Sequence, residues 1–266
     1  AGEWIENDGE IMKNMKALGY DHILLNFSAF ETESKIKTTA KFLQLAAETG
    51  MMVHVWMQAF YQGGNWISPV IDAENRYDQD LFDRIVAEAK MYVEEYGAQG
   101  IHLDYIRYGG TAHKHDFPEC RATDSITEFC RQLNVAVKAI NPDVILSAAM
   151  MPEIDSEHYY GQNPAEMGKY IDILMPMVYR YGYAGEDKSL EWVHEVSNRI
   201  EENSDQADVW VGIQTYTSNL ENGDVIPMDA EGILSDCKDI TNTNCTGVVL
   251  FRHGIGEFPD LNDLWK

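Results

Sequence analysis

Residues 79–104 read QDLFDRIVAEAKMYVEEYGAQGIHLD, and this stretch decides the fold. Apolar residues recur at i, i+3 and i+4 spacing over Gln79–Tyr96, which predicts a covering helix. Asp78 precedes that helix as an N-cap, and Gly97 follows it as a helix-ending glycine. The short apolar run Gly100–Asp104 then predicts a buried strand. A helix followed closely by a buried strand indicates a parallel α/β sheet.

The same alternation runs along the whole chain. Buried strands are predicted at seven places, which are residues 22–27, 51–57, 100–104, 144–150, 173–178, 209–213 and 247–251. Helices are predicted between them, at residues 34–48, 79–96, 125–140, 164–170, 189–202 and 230–240. Gly50 ends the first of these helices, and Ser34 is a reasonable N-cap for it. The pattern predicts a (β/α)8 barrel of the TIM type.

The chain opens with a further helix, predicted at residues 4–18, ahead of the first strand. In an eight-stranded barrel this helix follows strand one, so we expect strand one to be missing or contributed from upstream. That would leave a gap between the strands at 22–27 and 247–251. A doubly wound open sheet is the rival fold, but residues 26–30, NFSAF, lack its Gly-rich nucleotide turn. Residues 1–266 are predicted to form a single domain.

Charge and composition narrow the choice of partners. The chain has 44 acidic and 20 basic residues and a formal net charge of −24. This charge repels phosphate backbones and anionic lipid headgroups, so neither nucleic acid nor a membrane surface is an expected partner. No apolar run reaches the roughly 20 residues that cross a bilayer. A monomer without membrane insertion is expected.

The residues that most often hold metals do not form a convincing site. The four cysteines are Cys120, Cys130, Cys237 and Cys245. They lack the CxxC or nearby His pairs of a zinc site, and two short-range disulfides or four free buried thiols remain equally open. His113 and His115 have no partners at ligand spacing, which favours a polar loop. A GxSxG nucleophile elbow and a phosphate-binding glycine loop are also absent, so we expect neither a metal nor a cofactor.

Asp104 is the last residue of its predicted strand. The active sites of parallel barrels lie at this carboxyl edge, where a carboxylate is partly desolvated. Arg107 is close enough in sequence to hold Asp104 ionised, which suits a nucleophile or a stabiliser of positive charge. The alternative is that Asp104 only caps the following loop and pairs with Arg107. His102 points to the same side of the strand and is expected to orient Asp104.

The segment around Asp104 carries a resemblance to a known family. Residues 100–108, GIHLDYIRY, resemble the GxHxDYxRYP-type motif of a glycosyl hydrolase family with barrel folds, which includes bacterial lipoproteins acting on denuded peptidoglycan glycans. Gly109 stands where that motif has proline. The resemblance implies a glycosidase that acts on a cell-wall or surface polysaccharide, at an extracellular or cell-surface location. It implies the substrate class more strongly than the mechanism.

A second carboxylate follows the next predicted strand. Glu153 comes directly after Pro152, and Asp155 is two residues further on. An Asp ending one strand and a Glu following the next resemble the alpha-amylase superfamily arrangement, which implies Asp104 as nucleophile and Glu153 as general acid/base. Asp155 is the reserve, and a solvated loop carboxylate is the structural alternative for Glu153. Neighbouring strand ends favour a short carboxyl separation, so a retaining mechanism is predicted.

Polar and aromatic side chains recur at the other predicted strand ends. This composition is typical of sugar sites, where aromatic faces stack on C–H surfaces while amides and charges bind hydroxyls. The supporting or substrate-binding residues predicted on this basis are Asn26, Trp56, Gln58, Tyr105, Tyr179, Tyr181, Gln214, Tyr216 and Arg252, with Arg180 and His253 beside them. A non-catalytic glycan-binding or adhesin module is the main functional alternative. An amidase or peptidase would need a metal or nucleophile that the sequence does not offer.

Overall fold

Seven parallel strands form the centre of the protein in a computed structural model that describes all 266 residues. They are β1 (His22–Asn26), β2 (Met52–Gln58), β3 (Gly100–Asp104), β4 (Ile145–Met150), β5 (Ile173–Pro176), β6 (Asp208–Gln214) and β7 (Gly247–Phe251). Each strand pairs in parallel with its neighbours in chain order. A doubly wound sheet reverses its strand order and this sheet does not. The α/β fold predicted from the sequence, a curled sheet of the TIM-barrel type, is therefore confirmed.

Eight α-helices accompany the sheet. They are α1 (Glu10–Ala17), α2 (Glu33–Thr49), α3 (Gln79–Tyr96), α4 (Ala122–Lys138), α5 (Ser156–Tyr160), α6 (Pro164–Met167), α7 (Leu190–Glu201) and α8 (Ala230–Ile240). Their apolar sides join the strands in one cluster of 51 buried residues between Met12 and Leu264. The predicted bounds of α3 and α8 are confirmed, whereas α6 ends three residues earlier than predicted.

The observed helix ends agree with the capping residues and bounds predicted from the sequence, with two exceptions. Gly50 and Gly97 end α2 and α3 in the left-handed conformation, at φ 71° and 65°, and Asp78 accepts a hydrogen bond from the Leu81 N–H. Thr32 caps α2, so the assignment of Ser34 was wrong. The single helix predicted at 4–18 was also wrong. A 3-10 segment, Glu3–Asp8, precedes α1 because Asn7 and Gly9 both adopt positive φ values.

Alternate strand residues face the barrel interior, where the three strand histidines lie. His22 Nδ1 and His54 Nε2 are 2.9 Å apart, and the His22 ring centroid is 4.8 Å from that of Trp210 on β6. Burial lowers the pKa of His54 and of His102 to about 3, so both imidazoles are neutral. Gly100 makes room for this packing, since a Cβ there would lie 2.2 Å from His54 Nδ1. The floor of the barrel is therefore filled by side chains.

The sheet is open between β1 and β7, as the strand count predicts. These two strands are its edges, and residues 1–8 contain no strand. The carboxyl-terminal residues join the flanks of both edges. The Tyr20 hydroxyl donates to Pro259 O at 3.0 Å, and the Leu261 N–H donates to Leu18 O at 2.8 Å. A contribution from upstream to this gap remains a prediction.

Two further predictions concern thiols and membranes. The four cysteines, Cys120, Cys130, Cys237 and Cys245, are all buried free thiols. Of the two possibilities that the sequence left open, the structure therefore shows free thiols and no disulfide. Burial raises the pKa of the Cys237 thiol to about 12, which keeps it protonated. None of the helices combines the length and apolarity that a membrane span requires.

Candidate active site at the carboxyl edge of the barrel

Asp104 lies at the carboxyl end of β3 and uses both carboxyl oxygens. Oδ2 accepts from the Trp56 indole N–H at 3.1 Å, and Oδ1 accepts from the backbone N–H of Tyr105 at 2.7 Å. Burial raises the pKa of Asp104, while these two hydrogen bonds and, more weakly, the charge of Arg107 oppose the rise. Gln58 lies opposite Asp104 in the register of β2 and β3. The carboxyl group is thus desolvated and held in a fixed orientation.

Tyr105 continues the chain in a left-handed conformation that tyrosine rarely adopts. Its φ is 54°, and such a conformation costs on the order of 1–3 kcal/mol. Two backbone bonds from the loop after β2 hold it, because Ala59 N–H donates to Asp104 O at 2.8 Å and Phe60 N–H donates to Tyr105 O at 3.1 Å. The ring then stacks on Tyr61, with centroids 4.8 Å apart. Backbone strain at this position points to a functional site.

Arg107 lies among aromatic rings rather than against a carboxylate. Its guanidinium carbon is 4.6 Å from the ring centroid of Trp66, 5.2 Å from that of Tyr160 and 5.8 Å from that of Tyr105. Nη1 donates to Tyr108 O at 3.1 Å, and Nε is buried without a partner. The alternative in which Arg107 pairs with Asp104 is therefore wrong, since no ion pair joins them. The charge of Arg107 lowers the pKa of Asp104, as expected, but less than the hydrogen bonds from Tyr105 and Trp56 do.

Gly109 explains how Trp66 reaches Arg107. A Cβ at Gly109 would lie 2.7 Å from the indole of Trp66, closer than any side chain tolerates. Trp66 belongs to a short hairpin, in which Tyr61–Gln62 pairs with Asn65–Trp66. Gly109 thus allows the hairpin after β2 to close over the loop after β3.

Glu153 is the second partly buried carboxylate at this edge, on the loop after β4. Its Oε1 accepts from the Tyr160 hydroxyl at 3.3 Å and from the Tyr183 hydroxyl. Its Oε2 is buried and has no hydrogen-bond partner. The ring of Tyr160, whose hydroxyl donates to Glu153, also lies 5.2 Å from the Arg107 guanidinium carbon, so this cation lies near Glu153. Burial lowers the pKa of Arg107, whereas Tyr160, Asp104 and Glu153 raise it. The structure thus brings Asp104 and Glu153 to the ends of adjacent strands.

Three aromatic rings at the same edge of the barrel, those of Tyr179, Phe251 and Trp56, lie against one another. Tyr179, after β5, stacks on Phe251 at the end of β7 with centroids 5.5 Å apart. Trp56 meets the same Phe251 edge-on at 6.1 Å. Burial raises the pKa of Tyr179, and Asp104 and Tyr216 raise it further, so its phenol is protonated. Flat apolar faces beside buried polar groups are what a sugar ring requires.

A stretch of the sequence that includes this edge of the barrel matches the model of a known family. The profile of DUF4015, described as "Putative glycosyl hydrolase domain", matches residues 54–211, which is more than half of the chain. The chain belongs to this family. The matched region begins in β2 and ends in β6, so it includes both Asp104 and Glu153. A search of curated protein sequences found no match.

Solved structures of similar fold include the spore cortex-lytic enzyme SleL of Bacillus cereus, with a TM-score of 0.66 and 14% identity over 93% of this chain and 67% of that one. A class V chitinase from Pseudomonas fluorescens Pf-5 has a TM-score of 0.62 and 13% identity over 92% of each chain. A GH18 chitinase from Pseudoalteromonas aurantia has a TM-score of 0.61 and 15% identity, over 96% of this chain and 92% of that one. At these identities the likeness shows the fold alone.

In this glycosyl hydrolase-like domain several predicted site residues lie elsewhere. Tyr181 and Gln214 belong to a network behind the cleft, where Gln214 Oε1 accepts from the Tyr181 N–H at 2.6 Å and Arg180 donates to the Tyr181 hydroxyl at 2.7 Å. Arg180 also pairs with Asp236 of α8 at 3.3 Å. These contacts give Tyr181 and Gln214 partners within the protein, and their role in substrate binding stays a prediction.

Other predicted residues have structural partners of their own. His102 bonds Ser147 at 2.9 Å and not Asp104, so its orienting role was wrong. Asn26 Oδ1 accepts from the Ser28 N–H at 3.1 Å and caps a short 3-10 helix. Asp155 is exposed at the start of α5. Arg252 is exposed, with its guanidinium carbon 5.9 Å from the Phe251 ring.

Sequence reasoning missed five aromatic residues of the site: Tyr61, Trp66, Tyr160, Tyr183 and Phe251. All lie in or next to loops at the carboxyl edge, and their shared signal is the aromatic richness of those loops. Nothing in the spacing shows that Tyr160 and Tyr183 meet on Glu153. That contact depends on how α5 and the loop after β5 fold back across the edge.

Proposed function

We propose that this chain is a glycoside hydrolase that cleaves a cell-wall or surface polysaccharide, with Asp104 and Glu153 as its catalytic pair. The observation that carries the proposal is that two partly buried carboxylates follow adjacent strands, beside one cation and among aromatic rings. Membership of a glycosyl hydrolase family supports the reaction class. The names of the structural neighbours, a cortex-lytic enzyme and chitinases, support a polysaccharide substrate.

The reaction takes two steps. An oxygen of Asp104 attacks the anomeric carbon while the glycosidic C–O bond breaks, and the leaving oxygen takes the proton from Glu153. Glu153 then removes a proton from water, whose oxygen attacks the same carbon and releases Asp104. Two inversions give net retention. No metal or cofactor takes part in this scheme.

The geometry around each carboxylate suits its role. Trp56 and Tyr105 fix both oxygens of Asp104, which keeps the nucleophile oriented while leaving lone pairs free. Tyr160 and Tyr183 anchor Oε1 of Glu153, so Oε2 is the atom left to carry the proton. Substrate binding has to uncover Oε2, and the loop that carries Tyr183 is the segment that would move.

A chain of this kind would act outside the cell or at its surface, where wall polysaccharides lie, and would act as a monomer. The test is a screen of isolated wall and surface polysaccharides, with products identified by mass spectrometry. Proton NMR of the first-formed anomer on a positive substrate gives the stereochemistry, and retention is expected. An inverted product would remove the nucleophile role from Asp104.

The burial of Glu153 Oε2 also favours a second candidate, a non-catalytic glycan-binding or adhesin module. If Tyr160 and Tyr183 never release Glu153, the cleft binds sugar but has no proton for the leaving oxygen. Glycan binding by the wild-type protein without any release of reducing ends would support this module. Turnover that depends on Glu153 would exclude it.

A further inference from the structure

Two half-buried arginines at the carboxyl edge differ in how their donors are used. Each stacks on aromatic rings, with guanidinium carbons 4.6 Å from the centroid of Trp66 for Arg107 and 4.3 Å from that of Tyr181 for Arg180. Arg180 donates from all three nitrogens, to Asp236, Lys188 O and Tyr181. Arg107 makes one hydrogen bond, to a backbone carbonyl. Only Arg180 has a carboxylate within 4.0 Å.

One donor of Arg107, Nε, is buried without a hydrogen-bond partner. A guanidinium carries five N–H donors, and leaving a buried one unpaired lowers the stability of the fold. Acidic residues outnumber basic ones by 44 to 20 in this chain, so carboxylates to pair with it are not scarce. The site nevertheless surrounds Arg107 with the rings of Trp66, Tyr105 and Tyr160.

We infer that Arg107 recognises an oxyanion on the substrate, and that the preferred glycans are acidic ones, whose sugars carry a carboxylate, sulfate or phosphate. A guanidinium binds such groups through two parallel N–H donors, and rings that stack on it also stack on sugars. This inference rests on the proposed function, because it places an acidic sugar in the same cleft as Asp104 and Glu153.

Because the net charge of the chain is −24, an acidic glycan has to be recognised by one contact in the site and not by the surface as a whole. The surface as a whole repels polyanions, so overall attraction does not explain a preference for acidic glycans. The preference has to come from contact with a single desolvated cation, which salt screens much less than it screens surface charges.

The alternative is that Arg107 only supports the two carboxylates through its charge. Its effect on the pKa of Asp104 is smaller than those of burial, Tyr105 and Trp56. A supporting role of this kind would affect the cleavage of neutral and acidic glycans equally, whereas recognition affects acidic glycans alone. The two roles are therefore separable by experiment.

The test measures binding of the Asp104→Asn protein, whose turnover we expect to be lost, to an array of paired glycans. The pairs are uronate polysaccharides and peptide-free peptidoglycan strands with their carboxyl-reduced forms, and sulfated and phosphorylated polysaccharides with their desulfated and dephosphorylated forms. We expect one acidic class to bind roughly 10- to 100-fold more tightly than its neutral partner. Which class responds identifies the oxyanion.

Variants in the same background assign the effect to the residue. Arg107→Gln should abolish the difference between acidic and neutral partners, and Arg107→Lys should keep part of it because the charge remains without the two-donor geometry. Arg131→Gln, which removes an arginine of α4 whose side chain is 43% exposed and pairs with Glu128, should leave the difference intact. Thermal unfolding confirms that each variant is folded.

Three outcomes would overturn the inference. Equal binding of acidic and neutral partners, with cleavage of neutral glycans by the wild-type protein, removes the acidic preference and leaves the proposed function standing. A preference that survives Arg107→Gln removes Arg107 from recognition. Absence of both binding and cleavage across the whole array contradicts the inference and the proposed function together.

Discussion

The two sides of the carboxyl edge use the same residue types in opposite ways. After β5, Arg180 is joined to Asp236, Tyr181 and a backbone carbonyl, and every nitrogen of its guanidinium has a partner. After β3 and β4, Arg107 Nε and Glu153 Oε2 are buried without partners. Satisfied polar networks stabilise a fold, while unsatisfied buried groups cost stability and are kept where a ligand uses them. We therefore infer that the side after β5 stabilises the fold and that the side after β3 and β4 carries the chemistry.

The largest effect is expected at Asp104. Asp104→Asn keeps the shape of the side chain and removes the charge that attacks the sugar, so turnover should fall by at least roughly 1000-fold. Release of reducing ends from a confirmed substrate measures the loss, and circular dichroism confirms the fold. Activity at the wild-type level in this variant would move the chemistry away from β3.

Glu153→Gln should lower turnover by roughly 100- to 10,000-fold, because the leaving oxygen loses its proton donor. Asp155→Asn is the matched control, since Asp155 is an exposed carboxylate two residues away on the same loop. It should retain full activity in the same assay. The reverse pattern would make Asp155 the acid and leave Glu153 as a structural residue.

Asp236→Asn tests the structural side of the edge. Asp236 is 6% exposed and pairs with Arg180, and removing one partner of a buried pair typically costs about 3–5 kcal/mol. Urea denaturation should show that loss in the free energy of unfolding, while the folded protein keeps its kcat. Arg107→Gln should cost much less stability. Equal losses in the two variants would erase the distinction between the arginines.

The smallest effect concerns pH. Burial raises the pKa of Asp104, so the folded protein binds this proton more tightly than the unfolded chain does. The carboxyl group therefore contributes most to stability at low pH, and this contribution is lost as pH rises through the raised pKa. Asparagine does not titrate. The free energy of unfolding of Asp104→Asn should improve relative to wild type between about pH 3 and pH 7, and a constant difference would contradict the burial of Asp104.

The sequence was sufficient to predict the barrel because its signals are local. Apolar periodicity, Asp78 and the glycines at 50 and 97 set the bounds of strands and helices within a few residues. The opening helix failed because Asn7 and Gly9 take positive φ values, which periodicity does not report. Asp104 and Glu153 followed from their positions at strand ends, which a parallel barrel brings to one edge.

What the sequence could not provide was the partner of each side chain. Arg107 stands three residues from Asp104, yet it turns to the ring of Trp66, which arrives from the hairpin after β2. Gln214 and Tyr181 follow strands as sugar-binding residues would, yet their atoms are bound to each other. Such contacts depend on the paths of long loops, and strand-end position alone does not distinguish a cleft residue from one behind it.

Hydrolysis in H₂¹⁸O tests the central claim most directly, because the label identifies the bond that is broken and the comparison with a variant identifies the residue responsible. A polysaccharide found positive in the screen is incubated with the wild-type protein and with Asp104→Asn, and the products are weighed by mass spectrometry. The account predicts one ¹⁸O at each new reducing end with the wild-type protein and no such product with Asp104→Asn. Unlabelled products, or labelled products formed equally by both proteins, would contradict it.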